Sequence, residues 1–521
     1  MCGISGGVNI PPQIVIKMND SIRHRGPDSI GIKTIGKVSF GHARLPIVDL
    51  SPAGNQPMIW GNDMLTYNGE IYNHAMIRFG QGLVRDMTMD YKSSTDSESL
   101  LVALSLLPSR ESLFNDLNGM FAFAFYDDLN EQIILCRDRF GIKPLYYTWQ
   151  QDYFAFASTP GAVSLTKDNW KLSGEGVKQY MSLGATQEHS MFEGIKALMP
   201  GHYLIYDIAS HTLEIKRWYN PKFIHNAHEI IEQRILAAID RVKLTCDIKQ
   251  TLLLSGGLDS SLVASRYVGN GAIHLRSPEQ DYAEQVARKF SLDLKIADPE
   301  EVSAEACLTD YVQKCGDPTM AGIVPYITCK QIAKLGYRVA ITANGADELF
   351  YGYDRMRWDK NDQIAHIFRP LGMNFQALSE NSPQKLELDY YLTHDLNKTL
   401  DFASMCHSVE VRVPYLDHEL VEAACSISAE EHTRQFGNKA ILKKMLSKMG
   451  FDWDFIQRPK IGFSLHYWPK DWGPLQIRAM EWYLTTDFPQ LPSTATPRQQ
   501  SYHETTVTGL YIFLKVFRLS Y

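Results

Sequence analysis

The spacing of apolar residues divides the chain into two parts. Up to about residue 205, short apolar runs such as residues 121–126 are separated by clusters of Gly, Pro, Asn and Asp. This pattern is typical of β-strands that are joined by turns. One helix is predicted over residues 94–107, where apolar residues recur at helical spacing and Ser94 or Thr95 can cap the first turn. We therefore expect a first part that is rich in β-sheet.

Residues 203–206 and 213–218 predict a last hairpin, and residues 220–223 predict a boundary. Beyond it, short apolar strands alternate with helices. The alternating segments are residues 251–254, 262–268, 282–290, 292–296, the end of a helix at 332–335, and 338–342. Such alternation predicts a parallel α/β sheet. From about residue 354 onward, the apolar spacing is mainly helical. We expect two domains, at residues 2–205 and 225–521.

Composition is that of an ordinary globular protein. The chain has 521 residues, of which 45% are apolar and 21% are charged, and its net charge is −7. A nucleic-acid binder would carry a basic patch, and none is visible. Eight cysteines without a C-x-x-C pair suit a reducing cytoplasm and argue against a thiolate metal site. Because no apolar run is long enough to span a membrane, we expect a cytoplasmic protein without membrane contact.

The first candidate for chemistry is Cys2, in the opening residues Met1-Cys2-Gly3. Removal of Met1 would expose an α-amino group beside the Cys2 thiol. An amine with a reference pKa of about 8 can serve as the base that activates a nucleophile. On its own, this position fits an ordinary residue of a first strand better, and the motifs that follow change that interpretation.

A series of motifs follows Cys2 in a fixed order. They are RGPD at 25–28, GHARL at 41–45, YNGEIYN at 67–73, TDSE at 95–98, NGMFA at 118–122, RDRFG at 137–141 and KPLYY at 143–147. In this order they resemble the class II glutamine amidotransferase domain, an N-terminal-nucleophile fold of sandwiched β-sheets. The resemblance covers about residues 2–200. Taken alone, Asn68-Gly69 is also a strong hairpin-turn signal.

The resemblance implies that Cys2 attacks the side-chain amide of glutamine. The amide of Asn68 and the backbone N–H of Gly69 would then stabilise the resulting oxyanion. An arginine can grip the glutamine carboxylate with two hydrogen bonds, and an acidic residue can pair with the ammonium. The implied glutamine-binding residues are Arg44, Asn68, Gly69, Glu70 and Asp96.

A second constellation lies at residues 255–261, which read Ser-Gly-Gly-Leu-Asp-Ser-Ser between a predicted strand and a predicted helix. Glycines and hydroxyls in this position form a nest for phosphate oxygens, although a Gly/Ser connector would look similar. The segment resembles the PP-loop of ATP pyrophosphatases, which cleave ATP to AMP and pyrophosphate. The implied ATP- and pyrophosphate-binding residues are Leu254, Ser255, Gly256, Gly257, Asp259, Ser260, Thr342, Ala343 and Lys460.

Two carboxylates are candidates to hold Mg²⁺, which prefers one or two carboxylates together with phosphate oxygens. Asp259 lies in the loop, and Asp347 lies in residues 342–350, which resemble a second signature of asparagine synthetases. Glu348 is a weaker candidate, since it can simply cap a helix. Lys460, in the motif RPKIGF, would neutralise charge on the departing pyrophosphate.

Together the two halves resemble the glutamine-hydrolysing asparagine synthetases. The resemblance implies an N-terminal-nucleophile sandwich followed by an α/β PP-loop domain with a helical C-terminal part. It implies ATP-dependent adenylation of a carboxylate, with ammonia from glutamine passing through an internal tunnel to form the amide. Glutamine, ATP with Mg²⁺ and aspartate are the implied small-molecule partners, and a homodimer is the family's usual assembly.

Three departures from the family leave the acceptor open. Asn344 stands where the family carries an acidic residue, and an asparagine cannot transfer a proton. The segment at residues 272–278 is short, and Pro46 replaces a small hydroxyl residue. We therefore keep three hypotheses: an enzyme that makes asparagine, a ligase that amidates another carboxylate, and a glutaminase or regulatory protein with a degenerate synthetase half.

Overall fold

The computed structural model describes the chain except for residues 1, 80–90, 108, 151, 268–269, 299–301, 320, 368–381, 460–468, 487, 489–496 and 520–521. Its described part contains two six-stranded sheets followed by a five-stranded sheet. The two larger sheets consist of antiparallel pairs, whereas every pair of the third is parallel. The fold class predicted from the sequence is thereby confirmed.

The first two sheets face each other as a sandwich. Their strands are β1 (Cys2–Val8), β2 (Ser29–Ile35), β3 (Val38–Arg44), β4 (Met58–Trp60), β5 (Asp63–Ile71), β6 (Gly119–Asp127), β7 (Gln132–Arg137), β8 (Tyr146–Trp149), β9 (Phe154–Ala157), β10 (Ile195–Ala197), β11 (His202–Asp207) and β12 (Thr212–Arg217). One sheet has the order β10-β8-β9-β1-β3-β2 and the other β12-β11-β7-β6-β5-β4. Apolar residues of both, among them Ile4, Phe40, Ala124 and Leu135, form the buried layer between them.

Among the described residues, six α-helices accompany the sandwich. They are α1 (Pro12–Ser21), α2 (His74–Phe79), α3 (Asp96–Leu106), α4 (Arg110–Asp116), α5 (Pro160–Val163) and α6 (Gly174–Leu183). Helix α3 confirms the helix predicted over residues 94–107, and Thr95 is its cap, because its hydroxyl accepts a hydrogen bond from the N–H of Glu98. Since β12 carries the second sheet on to Arg217, we propose that the first domain extends past residue 205.

The third sheet has the order β15-β14-β13-β16-β17. Its strands are β13 (Gln250–Leu253), β14 (Gly271–Leu275), β15 (Asp293–Ala297), β16 (Val339–Ile341) and β17 (Glu410–Arg412). The helix after the loop at 255–257 begins earlier than the apolar spacing predicted, at Leu258 rather than at residue 262. Parallel strands bring their carboxyl ends to one edge, so the segments after β13 and β16 meet there.

The helices of this second part are α7 (Ala227–Leu244), α8 (Leu258–Ala264), α9 (Gln280–Phe290), α10 (Ala304–Cys315), α11 (Ile323–Lys334), α12 (Ala346–Leu349), α13 (Lys360–Ile367), α14 (Pro383–Leu386), α15 (Lys398–Met405), α16 (His418–Cys425), α17 (Ala429–Thr433), α18 (Ala440–Lys448), α19 (Trp453–Gln457), α20 (Trp472–Tyr483) and α21 (Pro497–Phe517). A π-helix, Glu387–Asn397, leads directly into α15. Of the helices that the structure describes, none combines the length and the apolar character that a membrane crossing requires.

Candidate active site

Cys2 opens strand β1 and lies opposite Arg44 of β3 in the antiparallel register. Its backbone is fixed at both ends. The Cys2 N–H donates to the side-chain oxygen of Asn68 at 2.9 Å, and the Cys2 carbonyl accepts from Nε of Arg25 at 3.1 Å. Burial raises the pKa of the Cys2 thiol, and the positive charge of Arg44 opposes that shift. A thiol in this environment needs a base to become a nucleophile.

The Asn68 side chain presents an unused donor beside Cys2. Because the Cys2 N–H donates, the Asn68 oxygen faces it and Nδ2 is left for another partner. Nδ2 is buried and makes no hydrogen bond within the part of the chain that the structure describes. A buried donor without an acceptor is costly, so this geometry fits an oxyanion hole that is completed by the substrate.

Gly69 lies within β5, not in a turn, so the hairpin-turn interpretation of Asn68-Gly69 is wrong. A Cβ atom at Gly69 would lie only 2.2 Å from the carbonyl oxygen of Met120 on the neighbouring strand. Glycine is therefore required here, because β5 and β6 approach each other closely at the position next to the unused Asn68 donor.

Arg44 and Asp96, which are predicted to bind the carboxylate and the ammonium of glutamine, are both held in place by hydrogen bonds within the protein. The Arg44 guanidinium donates to the Ser51 carbonyl at 2.8 Å and to the Asn55 side chain at 2.9 Å. The Asp96 carboxylate accepts from the Tyr67 hydroxyl at 2.6 Å and from the Ile71 N–H at 2.9 Å. Burial raises the pKa of Asp96, and the Tyr67 hydrogen bond opposes the shift.

Glu70 contacts the second part of the chain. Its carboxylate accepts from Nη2 of Arg412 at 3.2 Å, and Arg412 also pairs with Glu410 at 2.6 Å. All three side chains are buried. Burial and the charge of Asp96 raise the pKa of Glu70 well above its ordinary value, although Arg412 lowers it. The observed partner of this predicted glutamine-binding residue is thus an arginine of strand β17.

The Gly-rich loop after β13 borders a cavity of about 500 Å³. Within the loop, the Ser255 hydroxyl accepts from the Gly257 N–H at 3.1 Å and lies 2.9 Å from the Ser260 hydroxyl. A Cβ at Gly256, whose φ is +85°, would lie 2.8 Å from the Glu279 carbonyl oxygen. The loop is therefore closely packed against the start of α9, which fixes its backbone.

Most of the predicted ATP-binding residues meet at this cavity. Its lining includes Leu254, Ser255, Gly257, Asp259, Ser260, Thr342, Ala343 and Asp347. Gly256 belongs to the same loop but is not part of the lining. Lys460 lies outside the described residues, so its predicted role stays a prediction. Leu275 and Pro278, in the short segment at residues 272–278, also line the cavity.

Asp259 and Asp347 converge on one cation, the ammonium of Lys439. Nζ of Lys439 lies 2.5 Å from Asp259 Oδ2 and 2.6 Å from Asp347 Oδ1. Burial lowers the pKa of Lys439, but the two carboxylates raise it above its ordinary value. A Cβ at Gly352 would lie 2.1 Å from Asp347 Oδ1. Two carboxylates that can share one positive charge have the donor set and the convergence that fit Mg²⁺.

Three cationic residues of this cavity have no role in the sequence-based prediction: Lys439, Lys443 and Arg458. Lys439 was not singled out, and its signal was weak: a lysine after a Gly-Asn pair, just before an amphipathic helix. Arg458 belongs to the same short motif as Lys460, which was a usable signal. Its guanidinium donates to the Gly256 carbonyl and lies 3.7 Å from the centre of the Tyr282 ring.

The wall of the cavity formed by α11 and α15 carries no charge among the described lining residues. It consists of Val324, Pro325, Thr328, Cys329, Ile332, Thr399 and Leu400. Asn344 also lines the cavity and is neutral. Glu348, one of the described acidic groups nearby, is buried, accepts from the Tyr353 hydroxyl at 2.8 Å, and has its pKa raised to about 7 by burial and by Asp347.

Comparison with known proteins finds matches to two successive regions of the chain. A family model described as a glutamine amidotransferase domain matches residues 1–219, and one described as asparagine synthase matches residues 232–386 and 373–494. Asparagine synthetase [glutamine-hydrolyzing] 3 of Bacillus subtilis is 27% identical over 90% of this chain and 88% of its own. Putative asparagine synthetase [glutamine-hydrolyzing] 1 of Methanocaldococcus jannaschii is 28% identical over 86% and 84%. Amidase chry2 of Gibberella zeae is 26% identical over 87% and 73%.

Proposed function

The chain belongs to the asparagine synthase family, with a glutamine amidotransferase domain before the synthase region, and from this premise we propose that it makes asparagine from aspartate, glutamine and ATP. Its activity is that of a carbon–nitrogen ligase of the glutamine-hydrolysing asparagine synthetase type. The observation that carries the proposal is the presence, in one chain, of Cys2 beside an unused Asn68 donor and of Asp259 and Asp347 at a cavity of about 500 Å³.

In the first half, Cys2 attacks the side-chain carbonyl of glutamine. The C–S bond forms first and gives a tetrahedral oxyanion, while the α-amine of Cys2 takes the thiol proton. The C–N bond then breaks as that proton passes to the nitrogen, which leaves as ammonia, and water hydrolyses the thioester to glutamate and the free thiol. Nδ2 of Asn68 and the N–H of Gly69 stabilise the oxyanion during this attack. Arg44 pairs with the α-carboxylate of glutamine and Asp96 with its ammonium, and the two contacts orient the substrate.

In the second half, the loop at residues 255–257 and Ser260 hold the phosphates of ATP. Asp259 and Asp347 would hold Mg²⁺, which supplies positive charge to the phosphate oxygens when it is bound. Lys439, Arg458 and Lys460 add positive charge on the protein side of the same phosphates. The acceptor carboxylate lies against Thr342, Ala343 and Asn344, where ammonia reaches it.

The relatives named asparagine synthetase support aspartate as the acceptor. A second candidate is the same chemistry on a carboxylate with an uncharged body. Two observations favour it: Asn344 is neutral where the family has an acid, and the described α11 and α15 wall offers no charge to pair with the ammonium and the second carboxylate of aspartate. We also propose a cytoplasmic location, which the eight free cysteines support, and a homodimer.

The experiment that tests this proposal incubates the purified protein with glutamine, Mg-ATP and aspartate, and quantifies the products by mass spectrometry. Asparagine, glutamate, AMP and pyrophosphate in equal amounts would support the aspartate acceptor. Glutamate without asparagine or AMP would exclude aspartate and lead to a screen of other carboxylates. Glutamine hydrolysis that never depends on ATP with any acceptor would support a glutaminase or regulatory protein instead.

A further inference from the structure

The guanidinium of Arg25 joins the nucleophile to the synthase region. Arg25 is fully buried, and its Nε donates to the Cys2 carbonyl at 3.1 Å. Its Nη2 donates to the carboxylate of Asp401 at 2.8 Å. One side chain therefore connects the residue that attacks glutamine with an acid on helix α15, far along the chain.

Asp401 supplies the negative charge in this buried cluster. Its side chain is 2% exposed, and the ammonium of Lys143 lies 3.6 Å from its other oxygen. Two cations thus face Asp401, which holds Arg25 by charge and by a hydrogen bond. A guanidinium that loses its carboxylate becomes an uncompensated buried charge, which is costly. We therefore expect Arg25 to be displaced when Asp401 is removed. The position of Arg25, and with it the Cys2 carbonyl, depends on Asp401.

Helix α15 also borders the nucleotide cavity. Thr399 and Leu400, the two residues before Asp401, line that cavity. Within a single turn of α15, Thr399 and Leu400 therefore line the cavity and Asp401 contacts Arg25. A displacement of α15 when the cavity fills would be passed to Arg25 through a contact of only 2.8 Å.

We propose that Asp401 is a positioning residue that holds Arg25 against the Cys2 carbonyl, and that α15 thereby links occupancy of the synthase cavity to the reactivity of Cys2. The inference rests on the proposed role of Cys2 as the nucleophile. It assigns Asp401 no contact with glutamine. Its effect is on the rate of the attack, through the placement of Cys2, more than on the binding of glutamine.

The chain offers a matched control on the same helix. Lys398 of α15 pairs with Asp317 at 2.6 Å and donates to the hydroxyl of Thr186 at 2.8 Å. This ion pair is as buried as that of Arg25 and Asp401, and the contact of Lys398 with Thr186 also joins the two parts of the chain. It has no hydrogen bond to Cys2 or to Arg25, so Asp317→Asn tests what the loss of any buried ion pair at α15 does.

The first measurement is steady-state glutamate formation by the full chain and its Asp401→Asn variant. We expect kcat to fall at least tenfold with KM for glutamine changed less than threefold. Asp317→Asn should keep kcat within about threefold of the wild type. Equal kcat values for Asp401→Asn and the wild type, or equal losses in both variants, would overturn the positioning role. Absence of glutamate formation by the wild type would instead contradict the proposed function itself.

The second measurement is the alkylation rate of Cys2 by iodoacetamide, followed by mass spectrometry with and without Mg-ATP. We expect Mg-ATP to change this rate in the wild type and in Asp317→Asn, but not in Asp401→Asn. A wild-type rate that does not respond to Mg-ATP would overturn the link through α15. If Asp401→Asn does not fold, Asp401→Glu keeps the charge and moves it by one methylene. It should then show a partial loss of kcat, and full activity would count against the proposal.

Discussion

Arg412 donates a hydrogen bond to Glu70 across the contact between the two parts of the chain, with 3.2 Å between Nη2 and Oε2. Arg412 also donates to the carbonyls of Val242 and Thr245, both at 2.7 Å. Every group around it is buried, so the guanidinium neutralises carboxylates that have no access to water. The contact therefore stabilises the packing of the two parts of the chain against each other. It also includes Glu70, a predicted glutamine-binding residue.

Replacing Arg412 by Met should destabilise the protein strongly. Glu70 and Glu410 would each lose the Arg412 guanidinium at a buried position, and breaking buried pairs in this way costs about 3–5 kcal/mol. The control is Arg234→Met, whose side chain is 39% exposed and pairs with Glu419. An exposed pair contributes at most about 1 kcal/mol. Urea unfolding measures the free energy of unfolding of both variants. Equal losses would contradict the conclusion that the buried Arg412 contact stabilises the protein.

Replacing Lys439 by Met should make the protein depend on Mg²⁺ for stability. Asp259 and Asp347 would lose their shared ammonium, at a cost of about 3 kcal/mol, and a divalent cation can take its place. We expect Mg²⁺ to raise the Tm of Lys439→Met by more than that of the wild type. Lys444→Met is the control, because that side chain is 60% exposed. A Mg²⁺ response equal to that of the wild type would argue against a shared cation site.

Replacing Asn68 by Ala should remove the donor that faces the oxyanion. The loss of one such donor lowers kcat by about 100- to 1000-fold. Glutamate formation should fall by that factor, and the Tm should also fall, because the buried Cys2 N–H loses its acceptor on the Asn68 side chain. Asn62→Ala is the control, because its amide pairs with Asp128 at an exposed position. A loss below about threefold would show that Asn68 does not stabilise the oxyanion.

His42 should make stability fall in mild acid. It is buried, and its ring donates to the Tyr67 carbonyl at 3.2 Å. Burial lowers the pKa of His42 from 6.5 to about 3. Below pH 6.5 the unfolded chain therefore binds a proton that the folded chain refuses until about pH 3. Stability decreases over this window, by about 1.4 kcal/mol per pH unit from this group.

The variant His42→Gln keeps an N–H donor and cannot titrate. The free energy of unfolding, measured with urea between pH 6.5 and 5, should therefore fall less steeply in this variant. The reason is that its unfolding takes up one proton fewer. His228→Gln serves as the matched substitution at a ring that is 57% exposed. An unchanged slope for His42→Gln would mean that the buried ring does not resist protonation.

Local signals predicted much of the fold and some of the sites. The cap at Thr95 and the alternation after residue 250 depend on near neighbours, and both are confirmed. Asn68-Gly69 misled as a turn signal, because the same pair serves inside a strand where the next strand approaches closely. Lys439 was missed because a lysine before a helix is normally solvated, and only the folded chain brings two distant carboxylates to it. Asp401 and Arg412 act through similarly distant partners.

The central claim is that one chain couples glutamine hydrolysis to ATP-driven amidation. The most direct test supplies the purified protein with glutamine labelled with ¹⁵N in its amide, Mg-ATP and a panel of carboxylates that includes aspartate. We predict that mass spectrometry will find a ¹⁵N-labelled amide of one of them, with AMP and pyrophosphate in equal amount. Labelled ammonia and glutamate without AMP or an amide, for every carboxylate tested, would contradict the account.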